Sequence, residues 1–313
     1  MVKVFVDGQE GTTGLKIHER LAGRSDLQVL QIDPEKRKDP KARQELLNAA
    51  DISFLCLPDA ASKEAAQLTT NPKACLIDAS TAHRVDPAWA YGLPELSVEH
   101  RAAISKANRI ANPGCHATGF NILVYPLVKL GIAARDYPFS CHSITGYSGG
   151  GKKLIAAYEN PDRKATFKYP RPYALALKHK HIPEMQYVAG LSDPPVFDPI
   201  LGDFYQGMAV SVPLHMRLLA KKMSAKDMRA MFAQYYHGQR FVDVKPLESD
   251  AWLEEGCFDP TTCNNTNRLE IFVFGHETQA LLVARFDNLG KGASGAAVQS
   301  MNIRMGVDEG MGL

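Results

Sequence analysis

Residues 1–14 read MVKVFVDGQEGTTG, an apolar run that breaks into glycines at positions 8, 11 and 14. Lys3 to Val6 has the composition of a short strand. A helix is predicted from roughly Thr13 to Leu21, and a second strand over Gln28–Ile32. Strand, glycine-rich turn, helix and strand make a βαβ unit of about 30 residues. In that setting Gly8, Gly11 and Gly14 form a GxxGxxG variant of the dinucleotide fingerprint. The first glycine permits the tight turn, the second lets a pyrophosphate approach the backbone, and the third allows helix to pack on sheet. Thr12 and Thr13 open the helix, whose N-terminal amides and positive dipole end suit phosphate. Further apolar strands at Asp51–Leu57 and Cys75–Ile77 predict an α/β fold with a Rossmann-type parallel sheet covered on both faces.

Beyond Cys115 the texture changes. Phe120, Leu123, Val124, Leu127 and Leu130 lie at helical spacing within 116–130, with Pro126 placed to kink or interrupt the helix. Strand-like runs follow at Ser140–Thr145, Gln206–Pro213, Leu269–Gly275 and Gln279–Phe286, separated by loops such as Pro194-Pro195. They predict a mixed α+β second domain. The tail, Gly292 to Asn302, is rich in small residues and helical in character, so it is predicted to pack back on the first domain. The expected division is residues 1–114, completed by 291–313, and residues 115–290.

Of the 313 residues, 45% are hydrophobic, enough for a sizeable core. Thirty-six basic and 34 acidic residues leave a net charge of +2, too weak a field to argue for nucleic acid or a membrane surface. The N-terminus reads as a strand and not as a signal peptide, and no apolar run approaches the roughly 20 residues that span a bilayer. The six cysteines are scattered without zinc spacing, and no metal is expected. A cytoplasmic enzyme acting on an anionic small molecule fits this composition best.

Asn112-Pro113-Gly114-Cys115 carries the sharpest chemistry. Pro113 and Gly114 make a turn that sets Cys115 at a helix start, where the amide dipoles stabilise a thiolate nucleophile. In Lys178-His179-Lys180-His181-Ile182-Pro183-Glu184, one histidine suits general acid/base work, the lysines suit an anion, and Glu184 suits orientation of a histidine or substrate. Ser143 to Lys153 (SITGYSGGGKK) offers glycine-rich amides and lysines as an anion nest. His83 and Arg84 follow a strand end, where ligands of open α/β sheets collect. Asp33 closes the second predicted strand and favours NAD. Lys36, Arg37 and Lys38 beside it suit the 2′-phosphate of NADP, so both coenzymes stay open.

Taken together the chain resembles the shorter type of N-acetyl-γ-glutamyl-phosphate reductase, within the aspartate-semialdehyde-dehydrogenase-like superfamily. The carrying stretches are VDGQEGTTG at 6–14, LCLPDAAS at 55–62, IDASTAHR at 77–84, YGLPEL at 91–96, NPGCHATG at 112–119, TGYSGGGKK at 145–153, KHKHIPE at 178–184 and DNLGKGASGAAVQSMN at 287–302. The resemblance implies a dinucleotide-binding domain followed by a substrate-binding and dimerisation domain, NADPH as reductant, a homo-oligomer (dimer or tetramer) and a place in arginine biosynthesis. It implies Cys115 as nucleophile and a base within 178–184, with His179 favoured and His181 the alternative. It assigns the coenzyme to Gly8, Gly11, Thr12, Thr13, Gly14, Arg37, Pro58, Ser80 and Gly292. It assigns the substrate to Arg84, Asn112, Gly146, Ser148, Lys152 and Glu184. The implied reaction converts N-acetyl-γ-glutamyl phosphate to the semialdehyde through a Cys115 thioester. Reduction of an aspartyl or aminoadipyl phosphate, or a non-enzymatic NADP sensor, are the alternatives.

Overall fold

The computed structural model describes residues 1–313, apart from the side chain of Ser249. The chain divides into two compact units, Met1–Gly114 with Ala293–Leu313, and Cys115–Gly292.

The first unit alternates strand and helix: β1 (Val2–Asp7), α1 (Thr12–Leu21), β2 (Leu27–Leu30), α2 (Pro40–Ala49), β3 (Ile52–Leu55), α3 (Asp59–Leu68), β4 (Cys75–Asp78), β5 (Ala90–Tyr91), α4 (Val98–Lys106) and β6 (Arg109–Ala111). The six strands form one parallel sheet in the order β2-β1-β3-β4-β6-β5. Successive side chains of a strand point to opposite faces. Val4, Val6, Ile52, Phe54, Cys75 and Ile77 therefore enter one apolar cluster, while Phe5, Leu55 and Leu76 enter the other. Both clusters are buried, which is why these strands read as continuous apolar runs.

The second unit runs α5 (Cys115–Lys129), β7 (Ser140–Gly146), α6 (Gly151–Glu159), β8 (Arg171–Pro172), α7 (Ile182–Ala189), β9 (Val196–Gly202), β10 (Met208–His215), α8 (Ala225–Tyr235), β11 (Val242–Val244), β12 (Leu269–Gly275) and β13 (Gln279–Phe286). Its seven strands form a mixed sheet in the order β11-β12-β13-β10-β7-β9-β8. The helix α5 lies against β10 and β13. Gly119 makes this contact possible, because a Cβ there would meet Val210 Cγ2 at 2.5 Å. On the opposite face Ile144, Val196 and Leu281 stay exposed.

The last helix, α9 (Gly295–Met305), returns to the first unit, where Ala297, Val298 and Met301 complete the cluster around Val4 and Ile17. The small residues of α9 let it pack closely there.

Of the kink or interruption expected at Pro126, the interruption is corrected: α5 runs unbroken through it. Proline removes the N–H that would bond the carbonyl four residues back. That carbonyl, Ile122 O, instead accepts the Tyr236 hydroxyl at 2.6 Å. Tyr236→Phe is expected to cost about 1–2 kcal/mol, read by chemical denaturation, since it leaves a buried carbonyl unmet.

Candidate functional site

At the carboxyl ends of β1, β3 and β4 the first unit gathers most of the residues assigned to a dinucleotide. Gly8 has φ +86°, and a Cβ there would fall 2.3 Å from Cys56 O. A Cβ on Gly14 would fall 2.5 Å from Gly8 O. The turn is closed by the Gly11 amide donating to Gly8 O at 3.0 Å. The helix α1 starts here with no side-chain cap, and among the described residues the buried Thr12 Oγ1 meets no partner. An uncapped helix start above a side-chain-free turn is an anion cradle. Pro58 caps α3 beside it. Ser80 is tied to Asp78, its N–H donating to Oδ1 at 2.9 Å and its hydroxyl to Oδ2 at 2.8 Å.

The neighbouring pair is inward-turned. His83 Nδ1 lies 2.6 Å from Asp78 Oδ2, and its ring stacks on Trp89 at 4.0 Å. Arg84 is buried and donates to Asn112 O (2.9 Å) and Ala79 O (3.0 Å), which fixes the approach to the Pro113-Gly114 turn. Asn112 donates from Nδ2 to Ala293 O at 3.1 Å. Beyond β2, Asp33 Oδ1 accepts the Glu35 amide at 3.0 Å, while Lys36, Arg37 and Lys38 are exposed and Arg37 pairs with Glu10.

In the second unit Cys115 is the first residue of α5, as the turn chemistry of Asn112-Pro113-Gly114 predicts. Gly292 belongs to this unit and abuts Cys115: a Cβ there would sit 2.9 Å from Cys115 Cβ. Three histidines cluster at the start of α5. The His116 ring centroid lies 5.4 Å from that of His179 and 5.5 Å from that of His181, and the latter two are 4.7 Å apart. The His181 amide donates to His179 Nδ1 at 3.1 Å. His181 precedes α7, and Glu184 is buried in the first turn of that helix.

The Ser143–Lys153 stretch differs from expectation. The amides of Gly146, Tyr147 and Ser148 donate to Gly207 O, Phe204 O and Tyr205 O, so they are not an open nest. Ser148 is buried and accepts from Asn288 Nδ2 at 3.0 Å. Lys152 lies exposed on α6. The strand β7 continues through Gly146 because its pairing with β9 reaches Gly202. Sequence reasoning missed His116, Ser143 and Tyr173, which share hydrogen bonds beside Cys115. Only the adjacency of His116 to Cys115 signalled any of them.

Among the described residues no helix is long and apolar enough to cross a membrane, and no cluster of histidine, cysteine and carboxylate side chains is arranged to hold a metal.

A parallel nucleotide-binding sheet and a mixed-sheet unit with a cysteine at a helix start define a semialdehyde-dehydrogenase-type oxidoreductase that uses a nicotinamide cofactor. Residues 3–106 match the family described as semialdehyde dehydrogenase, NAD binding domain, and residues 115–288 that described as semialdehyde dehydrogenase, dimerisation domain. The chain belongs to the N-acetyl-γ-glutamyl-phosphate reductase family. It is 45% identical to N-acetyl-gamma-glutamyl-phosphate reductase 2 of Nostoc sp., covering 99% of both chains. It is 47% identical to the N-acetyl-gamma-glutamyl-phosphate reductase of Burkholderia lata, covering 97% of this chain and 96% of that one. In fold it is similar to aspartate semialdehyde dehydrogenase II of Vibrio cholerae, with a TM-score of 0.72 at 15% identity over 97% of this chain and 98% of that one.

Proposed function

We propose that this chain reduces N-acetyl-γ-glutamyl phosphate to N-acetylglutamate semialdehyde, releasing phosphate, through a thioester on Cys115. The observation that carries this reading is the placement of Cys115 at the N-terminus of α5, beside a cluster of histidines. The helix-end amides favour the thiolate. The sulfur attacks the acyl carbon, the C–O bond to phosphate breaks, and phosphate departs with the electron pair. The Cys115 backbone N–H, lying at the helix start, suits the oxygen of the tetrahedral species.

The side-chain-free cradle at Gly8 and Gly14, with Thr12, Thr13, Pro58 and Ser80 around it, fits a dinucleotide. When bound, the nicotinamide supplies the hydride that reduces the thioester carbonyl. The resulting thiohemiacetal loses its hydroxyl proton, the C–S bond breaks, and the aldehyde leaves Cys115 as thiolate.

The histidine geometry favours His181 over His179 as the group that takes the thiol proton. The His181 amide occupies Nδ1 of His179, so neutral His179 carries its proton on Nε2 and offers no lone pair there. In this reading Arg84 and Asn112 of the first unit, and Gly146, Ser148, Lys152 and Glu184 of the second, supply polar contacts to the substrate or hold the chain that does. Mass spectrometry of the protein mixed with acyl phosphate and no coenzyme tests the thioester. An added acyl group on the peptide bearing Cys115 is expected, and one on another cysteine alone would refute the mechanism.

NADP is the coenzyme in this reading. Asp33 is turned onto its own Glu35 amide, while three cations stand exposed just beyond it. Lys36→Ala with Arg37→Ala is expected to raise the KM for NADPH about tenfold or more and to leave that for NADH nearly unchanged, the size of a lost charge-assisted contact or two. Initial-rate kinetics with both coenzymes checks it.

The second unit also supports a homo-oligomer. Lateral pairing puts Ile144, Val196 and Leu281 on one sheet face, where all three are exposed. A single apolar sheet face of this kind is normally covered. Ile144→Lys is expected to shift the protein toward monomer in light scattering after size exclusion.

A further inference from the structure

The turn that follows β13 is pinned by one side chain. Asp287 is the first residue past that strand and is buried. Its Oδ1 accepts the Leu289 amide at 2.8 Å. Its Oδ2 accepts the Asn265 amide at 2.8 Å and Gln206 Nε2 at 3.3 Å. Its carbonyl oxygen accepts the Gly292 amide at 2.9 Å. A carboxylate has two acceptor oxygens and no donor, so it suits amides that arrive from two separate segments. Asparagine would keep the volume but set an NH2 group against one of those amide N–H groups.

The pinned turn runs directly to Cys115. A Cβ on Gly290 would fall 2.3 Å from Thr266 O and 3.0 Å from Asp287 Cβ, so the turn is seated against the 265–266 segment with no room for a side chain. A Cβ on Gly292 would fall 2.9 Å from Cys115 Cβ, 3.2 Å from Asp287 O and 3.2 Å from Phe286 Cε2. Bare backbone therefore stands in contact with the carbon that carries the sulfur.

That contact limits the thiol. A cysteine sulfur chooses among three staggered wells about the Cα–Cβ bond. A wall of backbone against Cβ closes the well that points into it. The position of Gly292 thus decides which directions remain open to the Cys115 sulfur, and the hydrogen bonds of Asp287 decide the position of Gly292.

We propose that Asp287 is a positioning residue for the Cys115 thiol: by fixing the 287–292 turn it holds the Gly292 backbone against Cys115 and keeps the sulfur in the direction of attack. This rests on Cys115 being the group that the acyl phosphate acylates.

The test is the rate of phosphate release from N-acetyl-γ-glutamyl phosphate in a single turnover of the full chain without coenzyme, with the adduct on Cys115 read by peptide mass spectrometry. Asp287→Asn is expected to lower the saturating rate about tenfold or more and to leave the half-saturating concentration unchanged, since a shift of about 1 Å at a reacting group can cost about a hundredfold. Gly292→Ala is expected to lower it too. The double variant should fall by less than the product of the two losses, because both act through one contact. Iodoacetamide supplies the control for folding. Cys141 and Cys263 are buried in this unit, and Cys263 stands just before the Asn265 segment that Asp287 holds. Both should stay unalkylated in Asp287→Asn. An unaltered rate in that variant overturns the proposal. So does a loss accompanied by alkylation of Cys263 or Cys141, which marks an opened unit, or a loss confined to half-saturation. Losses that simply multiply overturn the route through Gly292. A parent chain that gains no acyl group on Cys115 refutes the acyl-phosphate reading instead, so the two failures are distinct.

Discussion

Cys115→Ala is expected to lower turnover of the acyl phosphate by about 10⁴-fold or more, the scale seen when a covalent nucleophile is removed. Alanine has no atom that can form the thioester, so hydride would have to reduce an acyl phosphate directly. The fold should survive, because alanine suits a helix start and Cys115 is only partly buried. Coenzyme affinity should also survive, since the glycine cradle is built wholly within the first unit. Steady-state kinetics, with coenzyme binding followed by fluorescence, checks both halves. Three of the other cysteines provide the contrast. Burial pushes Cys56 up to about 12, and Cys75 and Cys263 up to about 11, so none of these three is poised as a thiolate near neutral pH.

The second large effect is expected at the histidine pair. His181→Gln should lower kcat/KM by about 10²–10³-fold, the range for loss of a general base. His179→Gln should cost about tenfold, because a glutamine side-chain oxygen can still accept the His181 amide that Nδ1 now accepts. The order of the two losses is the informative quantity. Equal losses, or a larger one at His179, would return the proton-transfer role to His179. Pre-steady-state measurement of phosphate release isolates the acylation step, where a thiol base acts.

Much of the first unit is legible in residues 1–14. A strand that runs into Gly8 at φ +86° must turn there, and the glycine spacing that follows is dictated by backbone oxygens 2.3 and 2.5 Å from any added Cβ. The four strands from β1 to β4 are legible for a similar reason: burial on both faces requires apolar residues at every position, a local signal. Pro126 shows where this legibility stops. The proline is a local instruction to interrupt the helix, and its effect is met by Tyr236, far along the chain, whose hydroxyl takes the orphaned carbonyl. The glycines and lysines of 145–153 likewise spell a nest, but whether their amides are available is decided by carbonyls at 204–207.

The sequence by itself determined the place of Cys115 at a helix start, the glycine cradle and the small-residue face of the terminal helix. Each depends on a conformational demand that a few adjacent residues meet among themselves: a turn, a helix start, a face of small side chains. Only the tertiary structure decided the partners of His116, the residue after Cys115. Ser143 reaches His116 from β7, and Tyr173 reaches it from a strained segment between β8 and α7. Hydrogen bonds between segments so far apart in the chain leave no periodicity in it. They arise because a buried imidazole and a buried hydroxyl must each find a partner wherever the fold brings one within reach.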